Sequence, residues 1–166
     1  MRSQNAENHS AQPVNRGPSR IVTGAGSGMG RATAHLFADE GARVAVVDVT
    51  PGGAQAVAAE ISQAGGVARS WAVDVSDRQL VEKLIAEVVA EFGGLDILVN
   101  NAGISAAGPI DSDDYEARWA KTLAVNLTAM THTIRAALPH LRRSESPRII
   151  NIASTEGLGA VYGSRR

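Results

Sequence analysis

The 166-residue sequence contains no cysteine, and aromatic residues make up only 4% of it. Without thiols there are no disulfides, no thiol nucleophile and no cysteine-ligated metal. An excess of charge of one sign is also missing. The formal net charge is −1, so nothing favours nucleic acid or an anionic membrane surface as a partner. The four histidines, His9, His35, His132 and His140, are scattered. No two of them stand at metal-ligand spacing with a carboxylate, and no metal site is expected. No stretch approaches the ~18 apolar residues of a membrane span. The first eighteen residues are polar and lack the apolar run of about 7–15 residues that a signal peptide needs. The expectation is a cytoplasmic protein whose residues 1–18 form a disordered, polar N-terminal tail.

What is present alternates. Residues 20–23 form a short apolar run that ends in glycines, and 28–41 have helical spacing through Ala32, Leu36 and Phe37. Residues 43–49 are β-branched and too continuously apolar for a half-exposed strand, as suits a strand buried on both faces. Residues 53–65 read as helix and 67–75 as strand. Over 77–93 the spacing places Leu80, Leu84, Ile85, Val88, Val89 and Phe92 on one helical face. Residues 95–103 read as strand and then loop. A long helix is predicted over 113–138, with a stripe at Trp119, Leu123, Leu127, Met130, Ile134 and Leu138. Residues 148–154 supply a fifth strand. The connections are too long for hairpins, so they must be right-handed crossovers between parallel strands. The predicted fold is a doubly wound, Rossmann-like α/β sheet of five strands in three layers, α/β/α. In such sheets ligands bind beyond the carboxyl ends of the strands.

The stretch "TGAGSGMG", from Thr23 to Gly30, lies between the first strand and the first helix. It does not fit the G-x-G-x-x-G pattern. It fits G-x-x-x-G-x-G through Gly24, Gly28 and Gly30. Gly24 lets the chain turn off the strand, Gly28 lets backbone approach a pyrophosphate, and Gly30 lets the helix pack on the sheet. The phosphates then meet free N–H groups at a helix start, with Ser27 and Met29 as further cofactor contacts. Asp48 ends the second strand, close to the ~20 residues downstream expected of the acid that binds the adenosine ribose. Its carboxylate would accept from both ribose hydroxyls and repel a 2′-phosphate. Ser27 and Val49 are uncharged and offer no compensating cation. The expected cofactor is therefore NAD in preference to NADP, held by residues 19–166 as a partial dinucleotide-binding domain.

With these motifs in view, the sequence resembles the short-chain dehydrogenase/reductase family from about residue 20 to 157. The resemblance rests on "TGAGSGMG", Asp74–Val75, "NNAG" at Asn100–Gly103, and "RIINIAS" ending at Ser154, in that order. It implies that Asp74 and Val75, ending the third strand, hold the adenine ring. Asn101, Ala102 and Gly103 would shape the floor under the adenine ribose and brace the central sheet. Asn126 stands mid-helix, where Asn is a poor helix former, and the resemblance gives it a water of the proton relay. Ser154 would hydrogen-bond the substrate carbonyl or hydroxyl. The implied reaction is hydride transfer between nicotinamide and a small secondary alcohol or ketone.

The family moves its proton with a tyrosine followed one helical turn later by a lysine. At the usual spacing from Ser154, that pair would fall just past Arg166. Tyr162 and Arg166 imitate it too early. Lowering a tyrosine from a pKa of about 10 to neutrality takes roughly 4 kcal/mol. A cation ~4 Å away supplies that only at an effective dielectric near 20. Such a pair needs a fixed helix, and "YGSRR" is too short to nucleate one. The Tyr162–Arg166 match is read as coincidence. The sequence thus predicts a truncated, catalytically impaired chain. The alternatives are a non-catalytic NAD-binding module and a non-functional fragment. A family-type homo-oligomer would have an incomplete interface, with the flank of the 113–138 helix and the fifth strand uncovered and prone to self-association.

Overall fold

A computed structural model describes residues 17–105 and 108–154. The element order is β1 (Ser19–Thr23), α1 (Gly28–Asp39), β2 (Arg43–Asp48), α2 (Pro51–Gln63), β3 (Val67–Ala72), α3 (Arg78–Phe92) and β4 (Ile97–Asn100). Then come α4 (Tyr115–Leu123), a π-helical turn (Ala124–Thr128), α5 (Ala129–Leu141) and β5 (Arg148–Asn151). The strands pair in parallel in the order β3-β2-β1-β4-β5. The predicted doubly wound sheet of five strands is therefore observed. The chain winds outward from β1 to β3, then returns to lay β4 and β5 on the other side. The order reverses between β1 and β4, and a crevice opens there beyond the strand ends.

Alternation along each strand sends successive side chains to opposite faces. Val22, Val44, Val46 and Val99 pack with Ala34 and Ala38 of α1 and with Ala54, Val57 and Ile61 of α2. Ile21, Ala45, Val47 and Leu98 pack on the other face with Val81, Leu84, Ile85 and Val88 of α3 and with Ala129 and Ala137 of α5. Each face thus has its own core, and the three layers follow. The start of α3 is fixed by Asp77, whose Oδ1 accepts from the N–H groups of Gln79 (2.8 Å) and Leu80 (3.1 Å). Among the described residues, no helix is long and apolar enough to cross a membrane.

Several details differ from the sequence reading. On α1 the buried row is Gly30, Ala34 and Ala38, while Leu36 is 58% exposed. Small residues let this helix lie close to the sheet; Phe37 packs at the edge of that core, and Leu36 points away. On α3, Val81 takes the buried place expected of Leu80, which is exposed. β3 stops at Ala72 and β5 at Asn151, so Asp74, Val75 and Ser154 sit just past strand ends rather than within them. The expected 113–138 helix is a helical run from Tyr115 to Leu141 interrupted by the π-helical turn. Its buried residues are Ala129, Thr133, Ala137 and Leu141. Of the expected stripe, Trp119 is 53% and Leu127 59% exposed, and Met130, Ile134 and Leu138 are half-buried. A π turn holds more residues than an α turn, so one apolar row cannot keep facing the core across it. Residues 1–16 of the expected tail lie outside the described residues.

Candidate functional site

At the reversal point two strand ends are tied together by one hydroxyl and one amide. The Thr23 Oγ1, at the end of β1, accepts from the N–H groups of Asn101 and Ala102, each at 3.0 Å, and donates to the Val99 carbonyl at 3.3 Å. Asn101 Nδ2 in return donates to the carbonyls of Thr23 (2.9 Å) and Gly24 (3.1 Å). Buried polar groups of this kind must be paired, and the pairing fixes the first glycine turn against the turn after β4. Gly24 has φ +62, and a Cβ there would sit 2.8 Å from the Ala102 Cα. The turn can be this tight only with glycine.

From Gly24 the chain leads into α1. Ser27 is the N-cap but makes no side-chain capping bond. No described hydrogen bond uses the N–H groups of Gly28, Met29 or Gly30, so the helix start presents unsatisfied donors and the positive end of its dipole. Gly28 has φ +53, and a Cβ added to it would meet nothing within 4 Å. Backbone is therefore bare toward open space at the place where an anion would sit. A Cβ on Gly30 would lie 2.1 Å from the Gly24 carbonyl oxygen; that glycine serves packing.

Asp48, at the end of β2, is held by two backbone donors. Its Oδ2 accepts from Gly26 N and its Oδ1 from Thr50 N, both at 2.9 Å. A Cβ on Gly26 would come within 2.9 Å of the Asp48 carboxylate. Gly26, like Thr23, went unremarked in the sequence. Past β3, Asp74 closes a small turn. Its Oδ1 accepts from the N–H (2.9 Å) and Oγ (2.6 Å) of Ser76. These bonds, with a contribution from the positive charge of Lys121, hold its carboxyl below the usual aspartate range against a smaller opposing effect of burial.

These parts line one cleft of about 480 Å³. Every cofactor residue expected from the sequence is on its wall: Gly24, Ser27, Gly28, Met29, Gly30, Asp48, Asp74 and Val75 on the β1–β2–β3 side of the reversal, and Asn101, Ala102 and Gly103 after β4. Val49, Val73, Ile104, Lys121 and Val125 line it as well. The donors at the α1 start, the bare backbone at Gly28 and the acidic side chain at the end of β2 suit a molecule carrying both a pyrophosphate and a ribose diol.

Asn126 and Ser154 are not on that wall. Asn126 lies inside the π turn, and its amide clamps the loop after β4: Oδ1 accepts from Ile104 N at 2.8 Å and Nδ2 donates to the Ile104 carbonyl at 2.9 Å. A Cβ on Gly103 would be 3.6 Å from its Oδ1, so Asn126 adjoins one end of the cleft. Ser154 follows β5 on the same carboxyl-end rim and is exposed. β5 is secured through Asn100, whose Nδ2 donates to Asn151 Oδ1 at 2.9 Å and whose Oδ1 accepts from Thr133 Oγ1 at 2.7 Å. The Tyr162–Arg166 match lies outside the described residues. Among the described residues no cluster of three histidine or acidic side chains could hold a metal ion.

The geometry agrees with what the chain is similar to. A family model described as short chain dehydrogenase matches residues 20–165. The 2,5-dichloro-2,5-cyclohexadiene-1,4-diol dehydrogenase of Sphingobium indicum is 42% identical over 87% of this chain and 57% of its own length. The D-beta-hydroxybutyrate dehydrogenase of Cupriavidus necator is 42% identical over 87% of this chain and 55% of its own. For the meso-2,3-butanediol dehydrogenase of Serratia marcescens the identity is 37%, over 87% and 56%. A crystal structure described as a short-chain dehydrogenase/reductase from Burkholderia xenovorans superposes with a TM-score of 0.78 at 40% identity, covering 86% of this chain and 58% of that one. The chain thus spans just over half the length of these relatives.

Proposed function

Since this chain belongs to the short-chain dehydrogenase family, we propose that its cleft binds a nicotinamide adenine dinucleotide, NAD in preference to NADP. We propose further that residues 19–166 are the dinucleotide-binding part of a cytoplasmic oxidoreductase acting on small secondary alcohols. One observation carries the reading: a helix start with unsatisfied N–H groups stands beside a carboxylate that the same glycine turn fixes. A bound nicotinamide would accept or return the hydride. The remaining tasks fall to the protein.

The N–H groups of Gly28, Met29 and Gly30 would meet the pyrophosphate, and Asp48 would accept from the ribose hydroxyls. A 2′-phosphate in place of the 2′-hydroxyl would stand against the Asp48 charge. At ~4 Å that repulsion is about 1 kcal/mol per charge pair in water and about 4 kcal/mol at an effective dielectric near 20. Asp74 and Val75 would hold the adenine, and Asn101, Ala102 and Gly103 the floor below. Because the Asn126 amide is committed to Ile104, any water it holds for a proton relay falls to its main-chain carbonyl. The Ser154 hydroxyl would hydrogen-bond the oxygen of the alcohol as it becomes a ketone. The relatives' names carry diols and a hydroxybutyrate, and a secondary alcohol beside another polar group is the substrate class to try first.

Titration with NAD and NADP tests the reading. NAD should bind at least about fivefold tighter, the factor that corresponds to the ~1 kcal/mol at the low end of that repulsion, and Asp48→Asn should narrow the gap. Tighter binding of NADP by the unaltered chain would contradict it. Binding of NAD without reduction in the presence of diols would favour a nucleotide-binding role over an enzymatic one.

A further inference from the structure

We propose that Lys121 is a second reader of the base at the adenine end of the cleft, donating from its ammonium to the purine N7 while Asp74 accepts from the adjacent amino group. This rests on the dinucleotide reading above and adds a residue that neither the glycine turn nor the strand-end acids include.

Lys121 and Val125 are four residues apart, span the end of α4 and the start of the π turn, and both line the cleft. Residues at that spacing share one face of a helix. Among the described residues lining the cleft, Lys121 is the one cation. Its ammonium takes part in none of the described ion pairs or side-chain hydrogen bonds. Its charge nevertheless reaches Asp74 and helps to keep that carboxyl ionised. Both groups line the same cleft, and no described ion pair closes between them. The gap that matters is the cleft itself: a ligand lying in it can meet both of these opposite charges.

The chemistry of the gap is directional. Asp74 Oδ1 is occupied by Ser76, which leaves Oδ2 as the acceptor. Lys121 is donor only. Adenine presents the complementary pair on one edge, an amino donor beside the N7 acceptor, whereas guanine presents two acceptors there. A base with oxygen in place of the amino group would set that oxygen against the Asp74 carboxylate. Val125, one turn further along the same face, supplies apolar surface for the ring.

The test is a binding cycle on the full chain with NAD and its 7-deazaadenine analogue, which lacks only the N7 acceptor. Lys121 is exposed, so Lys121→Met and Lys121→Arg should leave the core intact. The unaltered chain should prefer NAD over the analogue by about tenfold, which is about 1.4 kcal/mol. Lys121→Met should bind both alike at the weaker affinity, and Lys121→Arg should keep most of the preference. A preference that survives in Lys121→Met, or is absent from the unaltered chain, overturns the proposal. So does an equal weakening for both ligands that leaves their ratio unchanged, which would make Lys121 a general attractor of anions. A chain with no affinity for NAD at all would instead remove the dinucleotide reading beneath it.

Discussion

On the β1–β2–β3 side of the crevice, α1 and α2 close over their strands with Ala34, Ala54, Val57 and Ile61, all fully buried. On the β4–β5 side, α4 buries no residue, and Trp119, Leu123 and Leu127 face outward from the helical run above β4. The first wall is held by close approach: Gly24, Gly26 and Gly30 each stand where a Cβ would strike a neighbour. The second is held by directional bonds, the Thr133–Asn100–Asn151 chain and the Asn126–Ile104 clamp. Steric closeness tolerates no added atom, and a hydrogen-bonded chain tolerates no lost partner. The two walls should therefore fail in opposite ways.

The largest effect is expected on the first wall. Gly30→Ala puts a carbon 2.1 Å from the Gly24 carbonyl oxygen, and backbone must move to admit it. A loss of about 3 kcal/mol is expected in urea unfolding, at the upper end of what overpacking costs. Gly28→Ala meets open space and should lose only the cost of a positive φ, about 1–2 kcal/mol. Equal losses at the two positions would break the steric account.

On the second wall, Thr133→Val keeps the shape and removes the hydroxyl, leaving the buried Asn100 Oδ1 without its donor. About 2 kcal/mol should be lost, with faster amide exchange in β5. A neutral result would mean that the chain of bonds does not secure that strand.

A smaller effect belongs to the rim just past β3. The Asp74 carboxyl is held below its ordinary value by Ser76. Its stabilising contribution is therefore complete above the unfolded value of about 3.9 and is lost as pH falls through the lower folded value. Thermal midpoints from pH 7 down to 2 should drop less steeply on the acid side for Asp74→Asn than for the unaltered chain. The difference will be modest, because the group is exposed and screened. Least of all, Leu127→Ser should change stability by no more than about 0.5 kcal/mol, as for a surface position. A large loss there would show that the outward row carries core packing.

Much of this arrangement was legible in the sequence because apolar periodicity and glycine placement are local signals. The alternation of runs gave five strands and their crossovers, and the G-x-x-x-G-x-G turn with Asp48 gave one end of the cleft. What was missed depends on contacts distant along the chain. Thr23 matters through the turn after β4, and Gly26 through the Asp48 side chain, neither of which a local pattern reveals. Lys121 reads as an ordinary helix-surface lysine until the fold sets it in the same cleft as Asp74. The π turn was hard to read because an inserted residue leaves the apolar periodicity on either side of it unchanged. Asn126, a poor helix former amid apolar neighbours, was its one trace. The outward facing of Trp119 and Leu127 follows from that same turn.

On the function proposed above, the crevice between β1 and β4 holds an adenine dinucleotide. Amide hydrogen exchange of the full chain with and without NAD tests it residue by residue. NAD should slow exchange at Gly28, Met29 and Gly30 and around Asp74–Val75, while the far end of α2 near Gln63 stays unchanged. Binding with no change at the α1 start, or with protection confined elsewhere, would contradict it.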